Sequence, residues 1–286
     1  MRNLSEANLT DAVLATFANT PDPRLREILG SLVRHLHAFV REVNLTEAEW
    51  MAGIQFLTAT GQMCDDKRQE FILLSDTLGV TTLKDLINHR QPPGVTEYTI
   101  LGPFYREGAR ELPALSNIAV SGTPGEPTIV SGRVLDAQGN PIAGALLDVW
   151  QASGEGFYDV QLPGQDMNLR GKFRTDSEGR YIFRTVRPSS YPIPHDGPVG
   201  RMLRATGRHP YRPAHIHFIV SADGFKSITT ELFADDDEYL DSDAVFGVRS
   251  SLVVPFVRHE SPAEAEKLGV TAPFYTVHYD FVLERE

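Results

Sequence analysis

Apolar residues recur at helical spacing through the first third of the chain. From Pro23 to Val43 they fall at Leu25, Ile28, Leu29, Leu32, Val33, Leu36, Phe39, Val40 and Val43, which predicts a long amphipathic helix. Thr46 followed three residues later by Glu49 is a capping box, in which each side chain can serve the other's backbone N–H. It opens a second helix through Trp50, Ile54 and Leu57. Phe71-Ile72-Leu73-Leu74 leads through Thr77-Leu78-Gly79 into a helical stretch ending near His89. Gln91-Pro92-Pro93-Gly94 then stops the pattern.

Beyond that stop the period changes from helical to extended. Thr128–Leu135, Ala145–Trp150, Tyr181–Val186, Ile216–Ser221, Ile228–Phe233, Ser251–Phe256 and Tyr275–Leu283 read as strands, with turn signals such as Asp136-Ala137-Gln138-Gly139-Asn140-Pro141 between them. Many short strands and few helices predict an α+β chain, with a helical domain over 1–97 followed by a mainly antiparallel β-sandwich over 98–286. The segment from Pro188 to Pro213, rich in Pro, Gly and His, reads as a long functional loop. There is no internal repeat.

Composition narrows the function. The 286 residues are 41% hydrophobic and 23% charged, a globular balance with length enough for a substantial core. A net charge of −11 argues against binding nucleic acid or an anionic membrane. Cys64, the single cysteine, excludes an intramolecular disulfide and any cysteine-rich zinc or iron–sulfur site. No 18-residue apolar stretch and no signal-peptide core appear, so the expectation is a cytoplasmic protein that is not membrane-embedded.

The sharpest local feature is Arg212-Pro213-Ala214-His215-Ile216-His217. On a strand, residues i and i+2 face one side, so His215 and His217 can converge on one ion. His35 and His37 share the spacing, but on a helix they diverge by about 200° and read as a solvated face. Packing of two imidazoles competes evenly with chelation for the strand pair. The first acids after it are Asp223 and Glu231, too far along the chain for a compact two-histidine, one-carboxylate motif. Tyr158 and Tyr191 stand in unusual Gly- and Pro-rich settings. A phenol becomes a good ligand only for a hard, highly charged metal, because its ordinary pKa is about 10.

These residues resemble the intradiol ring-cleaving dioxygenases, the catechol and hydroxyquinol 1,2-dioxygenases. The likeness covers almost the whole chain, from Thr60-Gly61 and Arg68-Gln69-Glu70-Phe71-Ile72-Leu73-Leu74-Ser75-Asp76 through Leu101-Gly102-Pro103-Phe104-Tyr105, Gly132-Arg133-Val134-Leu135-Asp136 and Asp148-Val149-Trp150-Gln151-Ala152. It ends in Gly207-Arg208-His209 and the Arg-Pro-Ala-His-Ile-His stretch. The Gly-Arg-Val-Leu-Asp segment alone is weak, since transthyretin-like binding modules share it. The ordered set Tyr158, Tyr191, His215, His217 is specific.

The resemblance implies one Fe(III) per chain, held by those four side chains and a hydroxide. Tyr158 is then the tyrosinate that stays bound, and Tyr191 the one that an aromatic diol displaces and that takes its proton. Arg212 corresponds to an arginine that stabilises negative charge on the ring. By position, the substrate pocket takes Leu73, Asp76, Gly102, Pro103, Phe104, Ile193, Pro194 and Val245, with Arg212 and Glu231. Glu231 stands where catechol-cleaving members commonly have Gln, and the stretch from Asp236 to Gly247 is more similar to the hydroxyquinol branch. The implied activity is cleavage of hydroxyquinol with O2. The alternatives are a catechol or chlorocatechol enzyme and, in another class, a non-catalytic transthyretin-like carrier. Members pair as homodimers through their helical domains, and some carry a lipid between the subunits.

Overall fold

Asp22 caps the long helix that the apolar period predicts. Its carboxylate accepts from the Arg24 and Leu25 amides, and Pro23 fills the first turn, where a missing N–H costs little. In the computed structural model, which describes residues 2–66 and 68–286, this helix is α2 (Pro23–Glu42), between α1 (Leu9–Ala15) and α3 (Glu47–Gln62). The capping box is present: the Thr46 amide donates to Glu49 Oε2 at 2.9 Å, and the Glu49 amide to Thr46 Oγ1 at 3.4 Å. These helices form one compact unit, Met1–Gln62. Along α2 the side chains of Leu25, Ile28, Leu32, Leu36 and Phe39 remain about half exposed, as do Trp50, Ile54 and Leu57 on α3.

The second unit, Met63–Glu286, includes α4 (Glu70–Thr77) and α5 (Val80–Asn88). The units thus divide at 62/63, whereas the sequence texture changes at 97/98. Polar ties explain why α4 and α5 group with the strand-rich remainder of the chain. Buried Glu70 pairs with Arg68 at 2.8 Å and accepts from the Val199 amide at 3.2 Å, at the start of α6 (Pro198–Ala205). Arg208 donates to the Thr77 carbonyl at 2.6 Å, and Thr82 Oγ1 to the Val245 carbonyl at 2.9 Å.

The strands are β1 (Pro127–Asp136), β2 (Leu146–Gln151), β3 (Arg170–Arg174), β4 (Arg180–Val186), β5 (Tyr191–Pro192), β6 (Tyr211–Arg212), β7 (His215–Ser221), β8 (Ile228–Ala234), β9 (Val253–Val254), β10 (Val257–His259), β11 (Phe274–His278) and β12 (Phe281–Leu283), with α7 (Pro262–Leu268) before β11. One sheet runs β10-β11-β1-β12 with β4 also on β1; the other runs β3-β2-β7-β8-β9; β5 and β6 pair alone. The sheets are mainly antiparallel, as expected, but not strictly so. Both β11 and β12 lie parallel to β1, and β9 lies parallel to β8.

Three local expectations need revision. The run Tyr275–Leu283 is two strands, broken where Asp280 turns to accept the Arg133 amide. Ser251–Phe256 begins as a 3-10 turn and yields only the short β9. The stretch from Pro188 to Pro213 is no single loop, since it contains β5, α6 and β6.

Between the two main sheets lies the core. Val130, Val134, Phe183, Val277 and Phe281 meet Leu147, Val149, Ile216, Phe218, Val220 and Leu232. Burying each such side chain stabilises by roughly 1.5–3 kcal/mol. Strand alternation then sends His215, His217, Trp150 and Glu231 to the opposite face of the β2-β7-β8 sheet, and that face is buried too.

Candidate metal centre

Register assembles half of the site. On β7, His215 and His217 point the same way; across the ladder Trp150 on β2 and Glu231 on β8 both stand opposite His217. The Trp150 indole stacks on the His217 ring at 4.6 Å and 5° between planes. His215 Nδ1 lies 2.7 Å from the Pro213 carbonyl. That contact assigns the proton to Nδ1 and leaves the Nε2 lone pair facing the site, the orientation a ligating imidazole needs.

The other half arrives on short connections. Tyr158 precedes a 3-10 turn, Asp159–Gln161, and its amide donates to Gln161 Oε1 at 2.8 Å. Next to it, buried Asp159 is gripped by Arg170 and Arg106; against the upward push of burial, they hold its carboxyl below the usual range. Tyr191 sits on β5 opposite Arg212 on β6. Gly156 has φ +80°, and a Cβ there would come within 3.0 Å of Tyr191 Cβ, so glycine lets the two tyrosine segments close together. Phe104 stacks on Tyr158 at 4.4 Å and meets Tyr191 edge-on at 6.3 Å.

Four donor atoms converge. Tyr158 Oη is 3.4 Å from Tyr191 Oη and 3.5 Å from His215 Nε2, which is 3.0 Å from His217 Nε2. Separations of this size are those of ligands held about 2.1 Å from one shared ion. They are poor as hydrogen bonds, since two phenol contacts beyond 3.3 Å satisfy little. All four side chains are buried. Burial pushes both phenols up, Tyr158 most strongly, and pushes both imidazoles down, His215 to about 4. The imidazoles are therefore neutral and available, while the phenols ionise near neutral pH only beside a strong cation. A hard, highly charged metal fits this donor set.

Glu231 also comes near, with Oε1 3.5 Å from His215 Nε2 and 3.3 Å from His217 Nδ1, the latter out of line for a hydrogen bond. Chain spacing alone argued against a two-histidine, one-carboxylate grouping; the β7–β8 register supplies one. Both Glu231 oxygens, however, accept from Arg212, at 2.8 and 3.2 Å, which leaves this carboxylate a weaker ligand than the phenols.

The other pocket residues expected from the sequence differ in burial. Leu73 and Asp76 are buried one turn apart on α4. Asp76 is pushed up by burial, with Thr81 and the Arg212 charge opposing. Gly102, at φ +72°, brings backbone to His217, where a Cβ would lie 3.4 Å from Cε1. Ile193 and Val245 are buried, Pro194 is half-buried, and Pro103 is exposed. Arg212 is buried against Glu231 and Asp243. Asp243 and Trp150 lie within stretches that the resemblance covers, but the sequence singles out neither as a site residue. On the first unit His35 is exposed, as a solvated helix face requires, while His37 contacts Thr10 Oγ1 at 3.0 Å.

Two family models match the chain: "Dioxygenase" over residues 100–285 and "Catechol dioxygenase N terminus" over residues 22–96. The chain is 53% identical over 283 residues to hydroxyquinol 1,2-dioxygenase of Rhizobium sp. strain MTP-10005, covering 98% of this chain and 96% of that one. It is 51% identical over 284 residues to 6-chlorohydroxyquinol 1,2-dioxygenase of Cupriavidus pinatubonensis, covering 99% of each. Its fold superposes on the crystal structure of hydroxyquinol 1,2-dioxygenase from Pseudomonas putida DLL-E4 with a TM-score of 0.93 at 51% identity, over 98% of this chain and 99% of that chain.

The depressed imidazole of His215 has a consequence for stability. The unfolded chain takes up this proton near pH 6.5, whereas the folded site refuses it until about pH 4. Stability is therefore intact above pH 6.5 and is lost as pH falls through that window. In metal-free protein the denaturation midpoint should drop across that range, and His215→Gln should flatten the slope. An unchanged slope in the variant assigns the acid sensitivity to other groups.

Proposed function

This chain belongs to the intradiol ring-cleaving dioxygenase family, and we propose that it cleaves hydroxyquinol (benzene-1,2,4-triol) with O2, giving 3-hydroxy-cis,cis-muconate, whose keto form is maleylacetate. The observation that carries the reading is the convergence of two buried phenols and two neutral imidazoles at 3.0–3.5 Å. A non-catalytic carrier has no use for such a set. Enzymes of this family use iron. One Fe(III) per chain, held by Tyr158, Tyr191, His215 and His217, is the assignment we adopt. The chemistry it supplies is Lewis acidity toward aryl oxygens and a path for electron density between the ring and O2.

The chain's own residues divide the work. Tyr191 faces Arg212 across β5–β6; burial raises its phenol, and the guanidinium opposes that push while Glu231 adds to it. With iron bound, Tyr191 would be the phenolate that gives way to substrate, taking a substrate proton at its Oη. Tyr158, stacked under Phe104 and tethered through Gln161, would hold the ion throughout. Arg212 offers an N–H to negative charge developing on the substrate. Leu73, Ile193, Pro194 and Val245, with Gly102, Pro103 and Phe104, bound the ring, and Glu231 acts through Arg212. Asp76 accepts the third hydroxyl. A cytoplasmic location fits the lone Cys64; among the described residues no helix is long and apolar enough to cross a membrane.

Two tyrosine variants test the metal roles. Tyr158→Phe should lose iron or the visible phenolate-to-iron absorption. Tyr191→Phe should keep more iron and colour yet bind substrate poorly. Identical behaviour in both would mean that the roles are misassigned.

Product identification and competition kinetics test the substrate. Hydroxyquinol should exceed catechol by at least about tenfold in kcat/KM, roughly 1.4 kcal/mol. Asp76→Asn should narrow that gap chiefly by slowing hydroxyquinol, because the third hydroxyl loses its carboxylate acceptor. A wild-type preference for catechol would sink the hydroxyquinol assignment while sparing the iron site.

The half-exposed apolar row on α2 supports a homodimer through the helical unit, with room in the proposal for a lipid between the copies. Light scattering on the purified protein should give twice the chain mass, and Leu32→Glu with Leu36→Glu should give the monomer. A monomeric wild type would remove the dimer.

A further inference from the structure

Arg212 is the buried cation of the site, and its five N–H donors can be followed one by one. Its Nε donates to Asp243 Oδ1 at 3.1 Å, and Nη2 donates to Asp243 Oδ2 at 3.3 Å and Glu231 Oε2 at 3.2 Å. One Nη1–H goes to Glu231 Oε1 at 2.8 Å. Two carboxylates thus engage four of the five. Nη1 also lies 3.2 Å from His215 Nε2, so the fifth N–H is directed at the four-donor cluster.

The charges matter as much as the directions. One guanidinium and two carboxylates, all buried, sum to −1. Arg212 therefore gives the site no net positive charge. What it offers is one N–H in a set direction, and that direction depends on how the guanidinium plane is clamped.

The two clamps differ in origin. Glu231 lies on β8, fixed by its register with His217. Asp243 lies on the loop after β8, and the same carboxylate that grips Arg212 also accepts from the Gly247 amide at 2.8 Å and the Val245 amide at 3.3 Å. It therefore shapes the turn that carries Val245. Gly247 closes this turn over the guanidinium: a Cβ there would lie 2.7 Å from Arg212 Nη2, 3.1 Å from Asp243 Oδ2 and 3.2 Å from Glu231 Oε2. The turn is tied down in addition by Thr82 at the Val245 carbonyl and by Arg208 at the Ala244 carbonyl, 2.9 Å each.

We propose that Asp243 is the positioning residue for Arg212, and that Gly247 is the glycine that lets it act. By clamping the edge of the guanidinium away from the site, Asp243 aims the fifth N–H at the reacting substrate, while its turn sets Val245 in the pocket wall. The proposal rests on the reading of Arg212 as the group that meets developing charge.

Four iron-loaded proteins test it: Arg212→Lys, Asp243→Asn, Gly247→Ala and the double variant Arg212→Lys with Asp243→Asn. For each, kcat, KM, iron per chain, the visible band and the thermal midpoint are measured. Arg212→Lys should lose on the order of hundredfold in kcat, the usual cost of one aimed donor. Asp243→Asn should lose about tenfold or more in kcat with KM, iron content and colour little changed. Gly247→Ala should reproduce that pattern with every charge retained, and it carries the test if Asp243→Asn fails to fold. The double variant should be no slower than Arg212→Lys alone, because Asp243 acts only through the guanidinium. Losses that multiply in the double variant overturn the proposal. So does wild-type kcat per iron in either Asp243→Asn or Gly247→Ala. Wild-type kcat in Arg212→Lys instead removes the underlying reading of Arg212.

Discussion

A guanidinium cut off from water needs an acceptor for each N–H and a countercharge nearby, and the arrangement of this site follows from that requirement at Arg212. Removing a charge from water costs several kcal/mol even after relaxation, so each N–H must find an acceptor and each acceptor must itself be held. Glu231 meets the need from a central strand and Asp243 from a turn. The same fork touches His215 and stands opposite Tyr191. Moving any one of these groups would strand another in low dielectric without a partner, so the cluster tolerates one geometry.

A sheet with two buried faces makes this arrangement possible. On one face of β2-β7-β8, Leu147, Val149, Ile216, Phe218, Val220 and Leu232 build an apolar core. On the other, His215, His217, Trp150 and Glu231 carry the polar burden. The strand period of two separates core from chemistry within a single run of six residues. A register slip of one would put the imidazoles in the core and Phe218 in the site, so the hydrophobic face sets the position of the polar one.

Legibility in the sequence depends on the range of the interaction. The α2 period, the Thr46–Glu49 box and the His215/His217 alternation are local patterns, and each is present in the structure. Tyr158 and Tyr191 lie on short connections where no periodicity applies, so only likeness to a family could single them out. Strand β3 escaped because Arg-Gly-Lys-Phe-Arg has no apolar alternation; it exists because its backbone pairs with β2. Helix α6 was hidden by Pro198 and Gly200, although a proline at a helix start is a favourable sign. Asp243 was hidden by company: it is one acid within Asp235-Asp236-Asp237-Glu238-Tyr239-Leu240-Asp241-Ser242-Asp243, and only tertiary contact distinguishes it from its solvated neighbours.

The same logic bears on why the site suits a hard cation and not a proton network. Two phenols and two imidazoles could in principle satisfy one another by hydrogen bonding, but the structure holds Tyr158 Oη beyond 3.3 Å from both its neighbours. The His215 tautomer, fixed by the Pro213 carbonyl, turns an acceptor toward the cluster, and the phenol that could donate to it stands too far off for a good bond. Each imperfection costs free energy in the fold, of the order of 1–3 kcal/mol for an unsatisfied buried polar group. A multivalent cation held by all four donors would offset that cost and would lower the phenol pKa. Burial raises the phenols and depresses the imidazoles, and rigid placement accounts for the poor hydrogen bonds: the core and the Arg212 clamp hold the donors in a geometry that would suit an ion, and keep them from the bonds they would otherwise make.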